Sequence, residues 1–232
     1  MKEGLSVIIK HPMLLAIMMA SAIINIMIAY IFTHATLLMI VSFFVSIFFS
    51  STIAVIAYDA ILKNTIVLSK AIMLVVKRFV PMLIATALML SVLLIFPLFT
   101  MLSEYINIFE GPMFFLTLLL SLTMTVLMLL FGSRLAFVTY LILLNNEQVF
   151  HAFTKSWSIT RDDRWKVINF FMMFALIIVL SLFIVDYIIT VVPAPTILVS
   201  SFVNTLLSGW FISTLVVVYI RLINQENKEI TT

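Results

Sequence analysis

"TKSWSITRDDRWKV", residues 154–167, gathers Lys155, Arg161, Asp162, Asp163, Arg164 and Lys166 beside Trp157 and Trp165. On either side the chain is apolar almost without interruption, with "MFFLTLLLSLTMTVLMLLFGSRLAFVTYLILL" (113–144) before it and "VINFFMMFALIIVLSLFIVDYIIT" (167–190) after it. Charge collected in this way marks a place where the chain meets water between two segments that do not need to. Across all 232 residues, 64% are hydrophobic and 10% charged, whereas an ordinary soluble domain carries roughly 25% charged residues. Apolar side chains in such excess can be left facing lipid but not water.

Working outward, runs long enough to cross a ~30 Å hydrocarbon core at about 1.5 Å per residue recur along the chain. They are Met13–Thr33, Leu37–Tyr58, Pro81–Leu102, Met113–Leu144, Val167–Thr190 and Thr196–Ile223. The runs are continuously apolar, whereas the strands of a membrane barrel alternate with a period of two. The reading is therefore an all-α polytopic membrane protein, with residues 1–232 forming a single membrane domain of six spans. The amino terminus superficially resembles a secretory signal ending at Ala20-Ser21-Ala22, but its apolar run continues beyond that point, which favours an uncleaved first span. The run 113–144 is too long for one perpendicular crossing. Either Gly132 kinks it or its inner turns project beyond the bilayer, and projection is preferred.

Placing the amino terminus inside puts 1–12, 59–80, 145–166 and 224–232 on the inner side. All thirteen Lys and Arg then fall in, or toward, the inside. The outer segments carry only His34, Glu104 and Glu110, with Asp186 near the outer end of the fifth span. Positive charge accumulates in cytoplasmic loops, so both termini are expected in the cytoplasm of a multi-pass cell-membrane protein.

Two inner segments are too long for turns. In "DAILKNTIVLSKAIMLVVKRF" (59–79), Lys63, Lys70 and Lys77 repeat every seven residues, a spacing that drifts about 20° per step around a helix. They form one stripe, with Arg78 beside it, and suit a helix over about 60–79 lying in the headgroup plane. A second amphipathic helix is expected over about 147–160, with His151, Lys155 and Ser158 on one side, in line with Asp162, and Phe153 and Ser156 on the other. Asp162 and Asp163 stop it, and Asp163 is placed to cap the fifth span, with Arg164, Trp165 and Lys166 in its first turn. Trp157 and Trp165 have rings of the kind that collect at bilayer interfaces. Lys155, Arg161, Arg164 and Lys166 are placed to meet anionic lipid phosphates. Residues 37–102 and 113–190 share the order span, amphipathic helix, span, the pattern of an approximate parallel duplication.

The stretch "HAFTKSWSITRDDRWKVINFF" resembles a pattern of poorly characterised six-span membrane proteins. In it, Ala-x-x-x-Ser-Trp-x-(Leu/Ile)-Thr is followed by a basic and aromatic pair that opens the next span. They include the membrane domain fused to some glycerophosphodiester phosphodiesterases and the YciC-like proteins. Ala152, Ser156, Trp157, Ile159, Thr160, Arg164 and Trp165 carry the match, and Arg134 in "FGSRLAF" matches the basic residue often found in the preceding span. The chain departs from the pattern at Asp162-Asp163, where Lys-Gly is commoner, and it shows no phosphodiesterase segment. The resemblance implies a fold and a location, not hydrolysis.

Within the spans, ionisable residues are costly and usually functional. Arg134 is the foremost candidate. It either snorkels to phosphate at the inner edge or pairs between helices with a carboxylate or substrate anion. Asn25 and Asn204 are placed to hydrogen-bond across helices. Ser201, Thr205, Gly209 and Ser213 on the sixth span, with Ser42, Ser46 and Ser50 on the second, recur every four residues, as close helix packing requires. His11, His34 and His151 lie in separate segments, so no metal site is indicated. No phosphate loop, Ser-His-Asp set or cofactor motif is seen.

The expected function is a non-enzymatic membrane subunit or scaffold that docks partner proteins or copies of itself and contacts anionic lipid at the cytoplasmic face. The alternative is a small-solute or lipid transporter or channel with a cavity near Arg134. A lipid hydrolase has the least support, and no nucleic-acid partner is implied.

Overall fold

The structure is a computed structural model that describes residues 2–31, 35–62, 67–93, 113–191 and 196–231. The expected outer segment 103–112, the end of the third span beyond residue 93, Lys63 and His34 lie outside them, as does the side chain of Asp186. The described residues form helices joined by short turns, and none of them is a strand. In chain order the helices are α1 (Lys2–Lys10), α2 (Pro12–Ile31), α3 (Ala35–Leu62), α4 (Leu68–Leu93), α5 (Met113–Leu135), α6 (Val138–Asn145), α7 (Val149–Ile159), α8 (Arg164–Val191) and α9 (Thr196–Thr231). Six helical stretches are long and apolar enough to cross a membrane, located in α2, α3, α4, α5 with α6, α8 and α9. In hydrocarbon no water is present to satisfy a backbone N–H or C=O, so continuously apolar segments close their hydrogen bonds internally as helices.

Several boundaries differ from the sequence reading, each for a local reason. The amino-terminal residues form a helix of their own, α1, which was not anticipated. Pro12 opens α2 and has no N–H to donate into the preceding turn. The chain therefore pivots at His11, whose carbonyl accepts the Leu14 amide at 2.9 Å. The helix expected over 60–79 is not a separate element: α3 continues to Leu62, and Lys70, Lys77 and Arg78 lie on α4, which runs on through Pro81. Pro81 removes one backbone donor, but its fixed φ suits a helix and long apolar helices tolerate it.

The long run 113–144 is divided at Ala136–Phe137, one turn beyond Gly132, which stays helical. Leaving α5 there strands its last carbonyls, and the Ser156 hydroxyl donates to that of Arg134 at 2.5 Å. α6 ends at Asn146, whose left-handed backbone (φ 61°) lets the Glu147 amide reach the Leu141 carbonyl. The helix expected over 147–160 is observed as α7, and the span after Asp163 begins at Arg164. The Asp163 carbonyl accepts the Val167 amide at 3.1 Å, as an N-cap residue's carbonyl does.

The chain divides into two compact units, Met1–Phe79 with Met173–Thr232, and Val80–Met172. In the first, α9 packs against α1, α2 and α3, and α2 packs against α3. Leu14, Met18, Ile56, Val216 and Tyr219 are fully buried there. A Cβ on Gly209 would collide with the Met18 side chain, and one on Gly4 with Thr214, including its Cα. Arg221 and Glu3 form an exposed ion pair between α9 and α1. In the second unit, α7 packs on α6 and α5 through a fully buried face of Ala152 and Ser156. Val138, Leu141 and Ile142 are the fully buried residues of α6.

Candidate functional site

The division of the α5–α6 run and the turn at 161–163 together build a cleft in the second unit. It has a volume of about 340 Å³ and is lined by Leu130, Phe131, Arg134, Trp157, Arg164, Trp165 and Ile168. Arg134 ends the last polar turn of α5, Trp157 projects from α7, and Arg164 opens α8. Each guanidinium has an indole beside it: that of Arg134 lies 4.0 Å from the Trp157 ring centroid, and that of Arg164 lies 5.6 Å from the Trp165 centroid. The Phe131 ring, 6.0 Å from that of Trp157, continues the aromatic wall.

Cation–π contact contributes about 0.5–1 kcal/mol at exposed sites and more where water is excluded. Its larger effect here is orientation. A guanidinium held over a ring face leaves N–H groups available for a planar or tetrahedral oxyanion. Ser156 adds a second constraint, since its hydroxyl binds the carbonyl of the same Arg134. Ser156 is itself fully buried, and its own carbonyl accepts the Thr160 hydroxyl at 2.8 Å. The motif residues Ala152, Ser156, Ile159 and Thr160 thus form the buried face of α7, while Trp157 lies on its other side.

The remaining basic residues of the 154–167 stretch differ in their pairing. Lys155 donates to Glu147 at 2.7 Å, and Lys166 pairs with Asp163 at 2.6 Å. Neither Arg134 nor Arg164 makes an ion pair among the described residues, and no carboxylate lines the cleft. Arg161 is exposed at the turn outside the cleft. Glu147 also receives His151 Nδ1 at 2.6 Å. The Lys155 hydrogen bond, and more weakly that of His151, hold the Glu147 carboxyl below its usual range against the opposing effect of partial burial. On α7, His151 and Ser158 are exposed and Phe153 is half-buried. Asp162, also exposed, lies beyond the end of that helix.

The other sequence candidates lie elsewhere. Lys70 and Lys77 are exposed on α4, and Arg78 is half-buried with its Nε unpartnered among the described residues. Asn25 is half-buried with an unpartnered Oδ1, whereas Asn204 is exposed. Both belong to the first unit and neither lines the cleft. Ser42 is half-buried and Ser46 exposed on α3. On α9, Ser201 and Thr205 are half-buried and Gly209 and Ser213 are buried, with the Thr205 hydroxyl donating back to the Ser201 carbonyl at 2.7 Å.

Sequence reasoning did not anticipate that Arg134 and the Arg164–Trp165 pair share a cavity, nor that Glu3 meets Arg221. No local signal links residues so far apart. The Glu147–His151 pair was not anticipated either, because Glu147 lies in the turn before α7 and not on the helix that carries His151. Comparison with protein-family models, curated proteins and solved structures gives no match for this chain.

Proposed function

We propose that this chain is a non-enzymatic, multi-pass cell-membrane protein with both termini in the cytoplasm. It docks partner proteins or copies of itself and grips anionic lipid at the cytoplasmic face. The observation that carries this reading is the cleft in which two unpaired guanidinia and two indoles converge.

The arrangement of charge supports the orientation. With the amino terminus inside, all thirteen Lys and Arg fall in, or toward, the inner segments of the sequence, and the opposite orientation would reverse the usual bias at every loop. The faces of α7 support a position in the headgroup layer. One face is buried, while Phe150 and Trp157, at i and i+7 on the other, are 79% and 43% exposed. Large exposed aromatics on a short amphipathic helix suit the boundary between headgroups and acyl chains.

The chain contains no cysteine, so single-cysteine variants report position without background. Lys70→Cys and Arg161→Cys are expected to react with an impermeant maleimide only after cells are opened, and Glu104→Cys in intact cells. The reverse pattern overturns the orientation. For docking, stoichiometric partners or a defined homo-oligomer are expected on purification in mild detergent. Solute-dependent flux through the purified protein in liposomes would instead favour a transport pathway beside Arg134.

A further inference from the structure

We infer that the cleft is a discrete site for one anionic phospholipid, with its phosphate between Arg134 and Arg164 and the root of its acyl chains on Leu130 and Ile168. This rests on the lipid-facing reading above and adds a location and a stoichiometry, in place of diffuse attraction to a charged surface.

Charge is the first reason. Among the basic residues of this unit, Lys155 and Lys166 are neutralised by Glu147 and Asp163. The two arginines that line the cleft meet no carboxylate among the described residues. A pair of cations flanking one cavity without a carboxylate between them attracts an oxyanion, and the guanidinium fork matches the oxygens of a phosphate.

Pre-organisation is the second reason. The Arg134 guanidinium is held over the Trp157 ring, and the Ser156 hydroxyl on its carbonyl anchors the backbone from which it projects. A side chain already ordered loses less entropy when it binds, so more of the contact energy appears as affinity.

The apolar part of the wall decides between a lipid and a free anion. Inorganic phosphate would satisfy the arginines and leave the exposed Phe131 and half-buried Leu130 of the wall uncovered. An amphiphile covers both surfaces, and a cavity of about 340 Å³ lies within the ~300–1,000 Å³ of ordinary ligand clefts. The helices that carry the site also continue into exposed apolar side chains, Val126 and Met128 on α5 and Met172 on α8. Acyl chains leaving the cleft would lie along them.

Two of the chain's three tryptophans line the cavity, so intrinsic fluorescence of the full chain in neutral detergent reports its occupancy. Titration with short-chain phosphatidylglycerol is expected to saturate at one lipid per chain, with weaker responses to phosphatidylcholine and to inorganic phosphate. Arg164→Gln is expected to weaken phosphatidylglycerol binding by about five- to tenfold, the loss of one phosphate contact. Arg134→Gln should act at least as strongly. Arg134→Lys should recover only part of the loss, because an ammonium keeps the charge but not the fork. Arg161→Gln, outside the cleft, should change nothing.

A non-saturating response, equal effects of Arg161→Gln and Arg164→Gln, or phosphate binding as tight as the lipid's overturns the discrete site. If phosphatidylglycerol is still preferred in the Arg134→Gln/Arg164→Gln double variant, only this inference fails. If the native chain does not distinguish phosphatidylglycerol from phosphatidylcholine at all, the broader lipid-gripping reading fails with it. Should Arg134→Gln not fold, Arg164→Gln, at the exposed first residue of α8, decides the question by itself.

Discussion

The two compact units solve opposite packing problems. In the first, small residues let helices come together: Gly209 lies against the flexible Met18 side chain, and Gly4 lies against Thr214 with no room for a methyl group. In the second, large residues hold helices apart, and Arg134, Trp157, Arg164 and Trp165 wall an open cleft. Lipid supplies little hydrophobic drive for one helix to leave it for another, so close approach must come from van der Waals contact across small residues. A cavity, by contrast, needs bulky side chains that brace one another, which guanidinia set beside indoles provide. The same apolar composition thus yields a tight seam in one unit and a binding-sized gap in the other.

The glycines give the sharpest way to break this contrast. Gly4→Ala is expected to cost about 1–3 kcal/mol, the usual penalty of overpacking, because the new Cβ meets the Thr214 Cα as well as its side chain. Gly209→Ala should cost less, since it meets only the Met18 side chain, which can rotate. Gly132→Ala, in the second unit with nothing within 4 Å of its Cβ, should stabilise by about 0.5–1 kcal/mol through helix propensity. Thermal unfolding in detergent, with proteolysis of the amino terminus to detect release of α1, checks the order. Equal effects at all three positions would remove the distinction between the seam and the cleft.

A smaller effect is expected at the cleft's support. Ser156→Ala removes the donor to the Arg134 carbonyl and should cost about 1 kcal/mol, the worth of a typical hydrogen bond. It should also increase the mobility of Trp157, read by fluorescence anisotropy. Unchanged stability and anisotropy would mean that α7 is held by apolar packing alone.

The smallest effect concerns pH. Glu147 is held ionised by Lys155 and His151, with its carboxyl below the usual range. Its contribution is therefore present above the ordinary carboxylate pKa and is lost as pH falls through the depressed value. Acidification should loosen the α6–α7 connection in the wild-type chain. Glu147→Gln should be loose at neutral pH and insensitive to acid, as hydrogen exchange of the 146–150 amides would show. Retained acid sensitivity in that variant would place the titrating group elsewhere.

Much of this fold was legible because its rules are local. The six membrane-length helices follow from apolar runs, the start of α8 from Asp163, and α7 from the spacing of its polar residues. Where the reading missed, it misplaced the breaks between helices. From residue 68 on, the surface helix expected over 60–79 and the span from Pro81 are one helix, α4, which runs through Pro81, while the run 113–144 turns at Ala136–Phe137, which carries neither Gly nor Pro. The candidate site was legible only in parts. Arg134, Trp157, Arg164 and Trp165 each stood out, but for two unrelated reasons, one as an intramembrane charge and the others as interface anchors.

The amino-acid sequence by itself determined that the described chain is helical and that six of its stretches are long and apolar enough to cross a membrane. Hydrocarbon leaves a backbone no partner but its own next turn, and that constraint acts within a few residues. Tertiary structure alone decided that Arg134 shares a cleft with Arg164 and that α1 closes against α9. Both depend on where a helix breaks and which way the chain leaves the break, directions that arise only once Ser156 reaches the Arg134 carbonyl and Gly4 meets Thr214.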